Sequence, residues 1–122
     1  MASGPGYAKH TVAVEPAPGR VRVTRGGLLL ADSDAALVLR EADYPPVHYI
    51  PREHVSMDAL APESKSTHCP FKGDASYFTI TGGGEPVAGG AWSYASPFDE
   101  VVEIAGHVAF YAEHVSIETA AS

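Results

Sequence analysis

Ala75-Ser76-Tyr77-Phe78-Thr79-Ile80-Thr81 and Ala88-Gly89-Gly90-Ala91-Trp92-Ser93-Tyr94 flank Gly82-Gly83-Gly84. Two runs rich in β-branched and aromatic residues on either side of a glycine cluster read as a β-hairpin: glycine reaches the turn's backbone angles, and the branched residues suit a pleated surface. The pattern repeats outward. Val21-Arg22-Val23-Thr24 alternates with period two and passes through Gly26-Gly27 into Leu28-Leu29-Leu30, a second hairpin. Thr11 to Val14, Ala36 to Leu39, Val108 to Tyr111 and Val115 to Glu118 are further short strand candidates, and Asp32-Ser33-Asp34 reads as a turn. Val47-His48-Tyr49-Ile50 is boxed by Pro45-Pro46 and Pro51, which forces an extended or edge segment.

Helical signals are sparse. Ser96-Pro97-Phe98-Asp99 fits a Ser cap followed by Pro at the first helical position. Val101, Ile104, Ala105 and Val108 then recur at helical spacing, with Gly106 as a stop. A second short helical turn is expected between Arg52 and Leu60. The fold class is therefore mainly β (α+β at most): a small single-domain β-barrel or packed-sheet fold of about eight or nine short strands, with one or two short helices. We expect a leader over residues 1–7, one β-rich domain over 8–119 and a tail over 120–122. No internal repeat of fixed period is present.

Composition bounds the function. The chain has 122 residues, 15 acids against 8 bases and a formal charge of −7. One core is expected, because a chain of this size buries roughly two-thirds of its unfolded surface. Scattered bases on an acidic chain argue against nucleic acid and against an anionic membrane surface, since both need clustered Lys and Arg. Cys69 stands alone, so neither a disulfide framework nor paired-cysteine zinc motifs arise. The N-terminal residues lack the basic and apolar regions of a signal peptide, and no apolar run reaches membrane-spanning length. A cytoplasmic protein is expected.

Three segments carry chemistry-bearing side chains. The longest stretch without a regular pattern runs from Ala61 to Asp74 and reads as a polar loop. It holds His68, Cys69, Lys72 and Asp74 within seven residues, just before the strand with Tyr77. His68 suits a general acid or base near neutral pH, Cys69 a nucleophile, and Lys72 and Asp74 anion positioning or pKa control. A plainer reading makes this a turn shaped by Pro70 and Gly73, with Lys72 solvated. In extended backbone His68 and Cys69 point to opposite faces and form no dyad. The pairs His48/His54 and His107/His114 lack the spacing of a helical metal site, so no metal is expected.

In the second segment, Val47 and Tyr49 share one strand face while His48 and Ile50 share the other; only one of these sets is expected to face inward. Arg52 is its best cation for a carboxylate or phosphate, with an ion pair to Glu53 or Asp58 as the structural alternative. In the third, Trp92 and Tyr94 share a face, and their polar tips need partners when buried.

The blocks His48-Tyr49-Ile50-Pro51-Arg52-Glu53-His54-Val55, Thr67-His68-Cys69-Pro70-Phe71-Lys72-Gly73-Asp74-Ala75-Ser76-Tyr77, Ala91-Trp92-Ser93-Tyr94 and Ile104-Ala105-Gly106-His107-Val108-Ala109-Phe110-Tyr111 resemble, in order and spacing, the bacterial family catalogued as domain of unknown function 427. The resemblance covers about residues 20–118. It implies a small, β-rich, stand-alone protein, and the family often carries a nucleotidyltransferase-like label. The sequence has no GxxxxGK[ST] loop and no paired acids for Mg²⁺ on a triphosphate. The leading expectation is an enzyme acting on a small polar or anionic organic molecule by acid/base chemistry without a cofactor. Its catalytic groups would be His68, Lys72, Cys69, Asp74 and Tyr77; Tyr49, Arg52, Trp92 and Tyr94 would hold the substrate. With Arg52, His68 and Lys72 set against Asp74, the pocket is expected to be locally basic. A non-catalytic module that binds a small molecule or a partner is the alternative, and a nucleotidyltransferase ranks third.

Overall fold

A computed structural model describes residues 12–41, 43–70 and 72–120. The expected leader over residues 1–7 lies outside them. Ten strands follow in chain order: β1 (Val12–Pro16), β2 (Arg20–Arg25), β3 (Leu28–Ser33), β4 (Leu37–Glu41), β5 (Val47–Pro51), β6 (Leu60–Cys69), β7 (Gly73–Ile80), β8 (Val87–Tyr94), β9 (His107–Phe110) and β10 (Ser116–Ala120). They form a seven-stranded sheet of order β1-β4-β5-β9-β8-β7-β6 and a three-stranded sheet of order β10-β2-β3. Every pairing is antiparallel. Of the two architectures the sequence left open, packed sheets are found; the strands do not close into a barrel.

Both glycine-rich hairpins form. Gly26 and Gly27 join β2 to β3 with φ of +56° and +83°, angles that side-chain-bearing residues rarely adopt. Gly83 lies in the β7–β8 loop with φ +84°, and a Cβ there would stand 2.2 Å from the Arg25 carbonyl oxygen. The two hairpin tips thus touch backbone to backbone. Arg25 secures the contact by donating from its guanidinium to the Gly82 and Glu85 carbonyls.

The helical expectations shrink to three 3₁₀ turns, Arg52–His54, Met57–Ala59 and Asp99–Ile104. The helix expected from Ser96 starts three residues later, and Ser96 and Pro97 precede it in irregular backbone. Val101 breaks the turn with ψ of +29° at φ −128°. Val101 and Ile104 are nevertheless fully buried, whereas Ala105 is exposed and Val108 belongs to β9 and the other core, so the spacing marked two buried positions but no continuous helical face.

Two further expectations are corrected. The polar stretch from Ala61 is strand rather than loop: β6 runs through Cys69 and supplies the tenth strand. It is an edge strand, paired only with β7, and carries Pro62 and a bulge between Pro62 and Ser66. Proline, charge and bulges are the features that keep exposed edges from pairing with other chains, and they also hide the strand's alternation. Glu63, inside the bulge, accepts hydrogen bonds from Thr79 Oγ1 (2.7 Å) and the Gly89 amide (2.6 Å).

β5 takes the extended form, one of the two expected, as an interior strand between β4 and β9; the second correction concerns its faces. Its prolines sit before it and at its last position, leaving the N–H groups of residues 47–50 intact. Tyr49 and Ile50 are both 1% exposed, so the choice between inward faces dissolves. Each face of the large sheet has its own core. On one, Ile50, Phe78, Ile80 and Val108 pack with Val21, Val23, Leu30 and Ala31 of the small sheet. On the other, Leu39, Tyr49, Ala75, Tyr94 and Ala109 pack with Val101 and Ile104. The small sheet covers the first face. The last 3₁₀ turn covers only part of the second, and the uncovered remainder is where the cavity lies.

Candidate functional site

Antiparallel register places Tyr77 of β7 beside Trp92 of β8, and Ala75 beside Tyr94. Tyr49 of β5 meets both β8 aromatics: its ring is edge-on to Trp92 at 6.3 Å and tilted against Tyr94 at 6.5 Å. Trp92 Nε1 donates to the Tyr49 hydroxyl at 3.1 Å, which satisfies the indole and leaves the phenol proton available. Tyr111 lies against the Trp92 ring, tilted by 44° with centroids 4.4 Å apart. Tyr77 shares a 2.8 Å hydrogen bond with Thr67 of β6. These rings wall a cavity of about 600 Å³, completed by Leu39, Glu41, Tyr44, Pro45, Pro46, Val47, His48, Lys72, Phe110, Ala112 and Ile117.

Lys72 reaches the cavity from the turn between β6 and β7. Its amide donates to the Cys69 carbonyl (3.2 Å), and its own carbonyl accepts from the Phe98 amide (2.9 Å). Gly73, at φ +117°, lies against the backbone of Ser96 and Pro97, where a Cβ would come within 3.4 Å. The turn is thus pinned against the segment that leads into the last 3₁₀ helix. Lys72 Nζ then lies 2.5 Å from Glu41 Oε1, at the end of β4. Their side chains are only 11% and 15% exposed. An ion pair this enclosed gains little net stability, because desolvating both charges offsets most of their attraction.

Four further lining groups, His48, Tyr49, Tyr94 and Tyr111, are shifted toward their uncharged forms. Burial pushes the Tyr49 phenol up to about 12; the Trp92 hydrogen bond opposes this, and the nearby Glu41 charge adds a smaller push upward. Burial raises Tyr94 further, with Tyr49 and Cys69 as lesser contributors. Tyr111 is raised by burial and then by Tyr77. His48 is lowered by burial and by the Arg40 charge, which favours its neutral imidazole. Among the described residues, the Lys72–Glu41 ion pair is set in this aromatic wall.

Of the nine residues expected at a site, the structure gathers five around this cavity: Tyr49, Lys72, Tyr77, Trp92 and Tyr94. The other four lie elsewhere. His68 and Asp74 pair with each other across the β6–β7 hairpin, Nδ1 to Oδ1 at 2.7 Å, with side chains 61% and 78% exposed. Cys69 alternates to the opposite side and packs, partly buried, against the Tyr49–Tyr94 cluster without lining the cavity. Arg52 lies over the Phe78 ring at 5.4 Å, beside the core shared with the small sheet, and does not line the cavity. The expectation of a locally basic pocket is therefore corrected: Lys72 alone of the three expected cations lines it, and Glu41 balances the charge. Among the described residues no group of three or more His, Cys, Asp or Glu is placed to hold a metal ion.

Sequence reasoning passed over Glu41, Tyr44 and Tyr111. Tyr111 ends a block quoted above for its family resemblance, so that signal was present. Nothing local marks Glu41, whose partner lies 31 residues away.

The family of proteins described as domain of unknown function DUF427 matches residues 13–121, from β1 through β10. The chain belongs to this family. The match spans the cavity-lining residues of both sheets and extends the resemblance at each end. No curated protein matches the chain. No helix among the described residues is long and apolar enough to cross a membrane.

Proposed function

We propose that this family member binds a small organic molecule in the cavity between the Tyr49–Trp92–Tyr111 rings and the Lys72–Glu41 pair. The observation that carries this reading is the pair itself. A nearly enclosed ion pair contributes little to folding, yet here it faces a cavity of about 600 Å³, within the size range of small-molecule sites. Flat rings supply contact area, and Lys72, Glu41 and the phenols supply orientation.

Trp92 is the chain's single tryptophan and lines the cavity, so one indole N–H resonance reports on the site. Screening a library of small aromatic compounds by two-dimensional NMR should yield ligands that shift this resonance in the wild type and bind at least about tenfold more weakly to Trp92→Ala, the loss of one stacked aromatic contact. Ligands that bind with no change at the indole, or equally well to Trp92→Ala, would place recognition elsewhere.

Acid/base catalysis on the bound molecule is the second reading. What favours it is that a carboxylate, an ammonium and the Tyr49 phenol share one cavity wall, so proton donors and acceptors stand together without His68. In that reading Glu41→Gln abolishes turnover of a bound substrate while leaving its binding within a few-fold. Retained turnover removes Glu41 from the chemistry.

A further inference from the structure

Two phenols set deep in the cavity wall carry protons for which the described residues supply no acceptor. Tyr94 is 5% exposed and lines the cavity. Among the described residues every fully buried side-chain nitrogen or oxygen has a hydrogen-bond partner. Burial and neighbouring charges alone shift the Tyr94 phenol, with no hydrogen bond among the causes. Its oxygen is therefore not sealed into the core, and the open space it lines is the cavity. Tyr49, 1% exposed, stands on the same wall with its ring 6.5 Å from that of Tyr94. Its oxygen accepts from Trp92 Nε1, which leaves its own proton for a further partner. Burial keeps both phenols protonated at neutral pH. A donor drawn this far out of water without an acceptor is unfavourable, so an acceptor placed there gains more than it would in water. Two such donors on touching rings match one oxygen with two lone pairs.

We infer that the Tyr49 and Tyr94 hydroxyls donate together to one oxygen of the ligand, the carbonyl of a flat, conjugated ketone or aldehyde whose unsaturated body lies against Trp92 and Tyr111. A carbonyl oxygen accepts twice and brings no proton that would itself need an acceptor, whereas a ligand hydroxyl brings one. The flat body matches the Trp92 and Tyr111 rings, which meet at 4.4 Å on the cavity wall. This inference rests on the cavity being a ligand site and narrows the class of molecule it takes.

Two probes of one shape test it: 2-acetylnaphthalene, and 2-isopropenylnaphthalene, in which a methylene group stands in place of the carbonyl oxygen. Each is titrated into the ¹⁵N-labelled full chain while following the Trp92 indole resonance. The ketone should bind the wild type at least about tenfold more tightly than the hydrocarbon, the effect of two hydrogen bonds of ordinary net strength. Tyr49→Phe and Tyr94→Phe should each weaken the ketone at least about threefold and leave the hydrocarbon within about twofold. In the wild type, nuclear Overhauser effects should run from the acetyl methyl to the Tyr49 and Tyr94 rings, which locates the carbonyl even if a variant fails to fold. If the preference for the ketone falls short of tenfold, if either phenylalanine variant leaves it undiminished, or if the acetyl methyl lies against other rings, the inference falls while the ligand site stands. If neither probe moves the indole resonance, the ligand-site reading falls and takes the inference with it.

Discussion

Removing one member of the Lys72–Glu41 pair should cost more than removing both. In Glu41→Gln the Lys72 ammonium stays where only 11% of its side-chain surface meets water; in Lys72→Met the Glu41 carboxylate is left 15% exposed. Stranding a charge in a fully buried pair costs about 3–5 kcal/mol, and the residual exposure here lets water relieve part of that, so each single variant should lose about 2–3 kcal/mol. For a chain between the sizes for which the conversion is known, this lowers the melting temperature by about 8–12 °C. The double variant Glu41→Gln/Lys72→Met buries no charge. It should lose about 1–2 kcal/mol, well short of the sum of the singles, which gives a coupling energy of about 3–4 kcal/mol. Urea unfolding followed by Trp92 fluorescence, with circular dichroism as a second probe, measures all four corners of the cycle. If the single losses add in the double within about 0.5 kcal/mol, the two charges do not act as one enclosed unit. The electrostatic account of the cavity would then be wrong.

Alkaline titration offers an independent check on the aromatic wall. An unfolded tyrosine ionises near pH 10, whereas burial holds Tyr49 at about 12 and raises Tyr94 as well. The unfolded chain therefore releases protons first, and stability, fully present below pH 10, should fall as pH rises from 10 to 12; a Tyr49→Phe/Tyr94→Phe variant should show a shallower fall, and an unchanged slope would refute the assignment. His68→Ala and Asp74→Asn should each change stability by less than about 0.5 kcal/mol, because the pair is exposed, and should leave probe binding at the Trp92 resonance unaltered; a lost probe site would bring His68 back into the cavity's chemistry. Gly27→Ala and Gly83→Ala share a left-handed backbone but differ in space, with nothing within 4 Å of a Cβ at the first and the Arg25 carbonyl oxygen at 2.2 Å at the second. The first should cost about 1–2 kcal/mol for the backbone alone and the second clearly more, measured by thermal melts; equal losses would mean that the hairpin tips do not press on one another.

The ends of the structure that chain-local rules describe well are the hairpins. Gly26-Gly27 and Gly82-Gly83-Gly84 announce their turns because positive φ is a property of single residues, and Val21 and Val23 alternate because their strand has one buried face. The rules fail where a strand's surroundings differ from that case. β6 looked irregular because it is a sheet edge, and β5 offered a false choice because both its faces are buried. Ser96-Pro97 and the apolar spacing after it satisfied a helix template, yet the segment had only to lay Val101 and Ile104 on the sheet, which a broken 3₁₀ turn accomplishes.

The same division runs through the site. Tyr49, Lys72, Tyr77, Trp92 and Tyr94 were legible as polar-tipped or charged residues on or beside strands, and these five residues from three segments do meet in the cavity. His68 and Asp74 lie next to Lys72 in sequence but face outward across the hairpin, whereas Cys69 alternates inward against the Tyr49–Tyr94 cluster without lining the cavity. Sequence by itself determined the β class, the turn positions, the family and the chemical types available. Tertiary structure alone decided that Lys72 meets Glu41 beside the aromatic cavity. Which strands lie side by side depends on burying two faces of one sheet at once, and that long-range constraint leaves no mark in any local stretch of sequence.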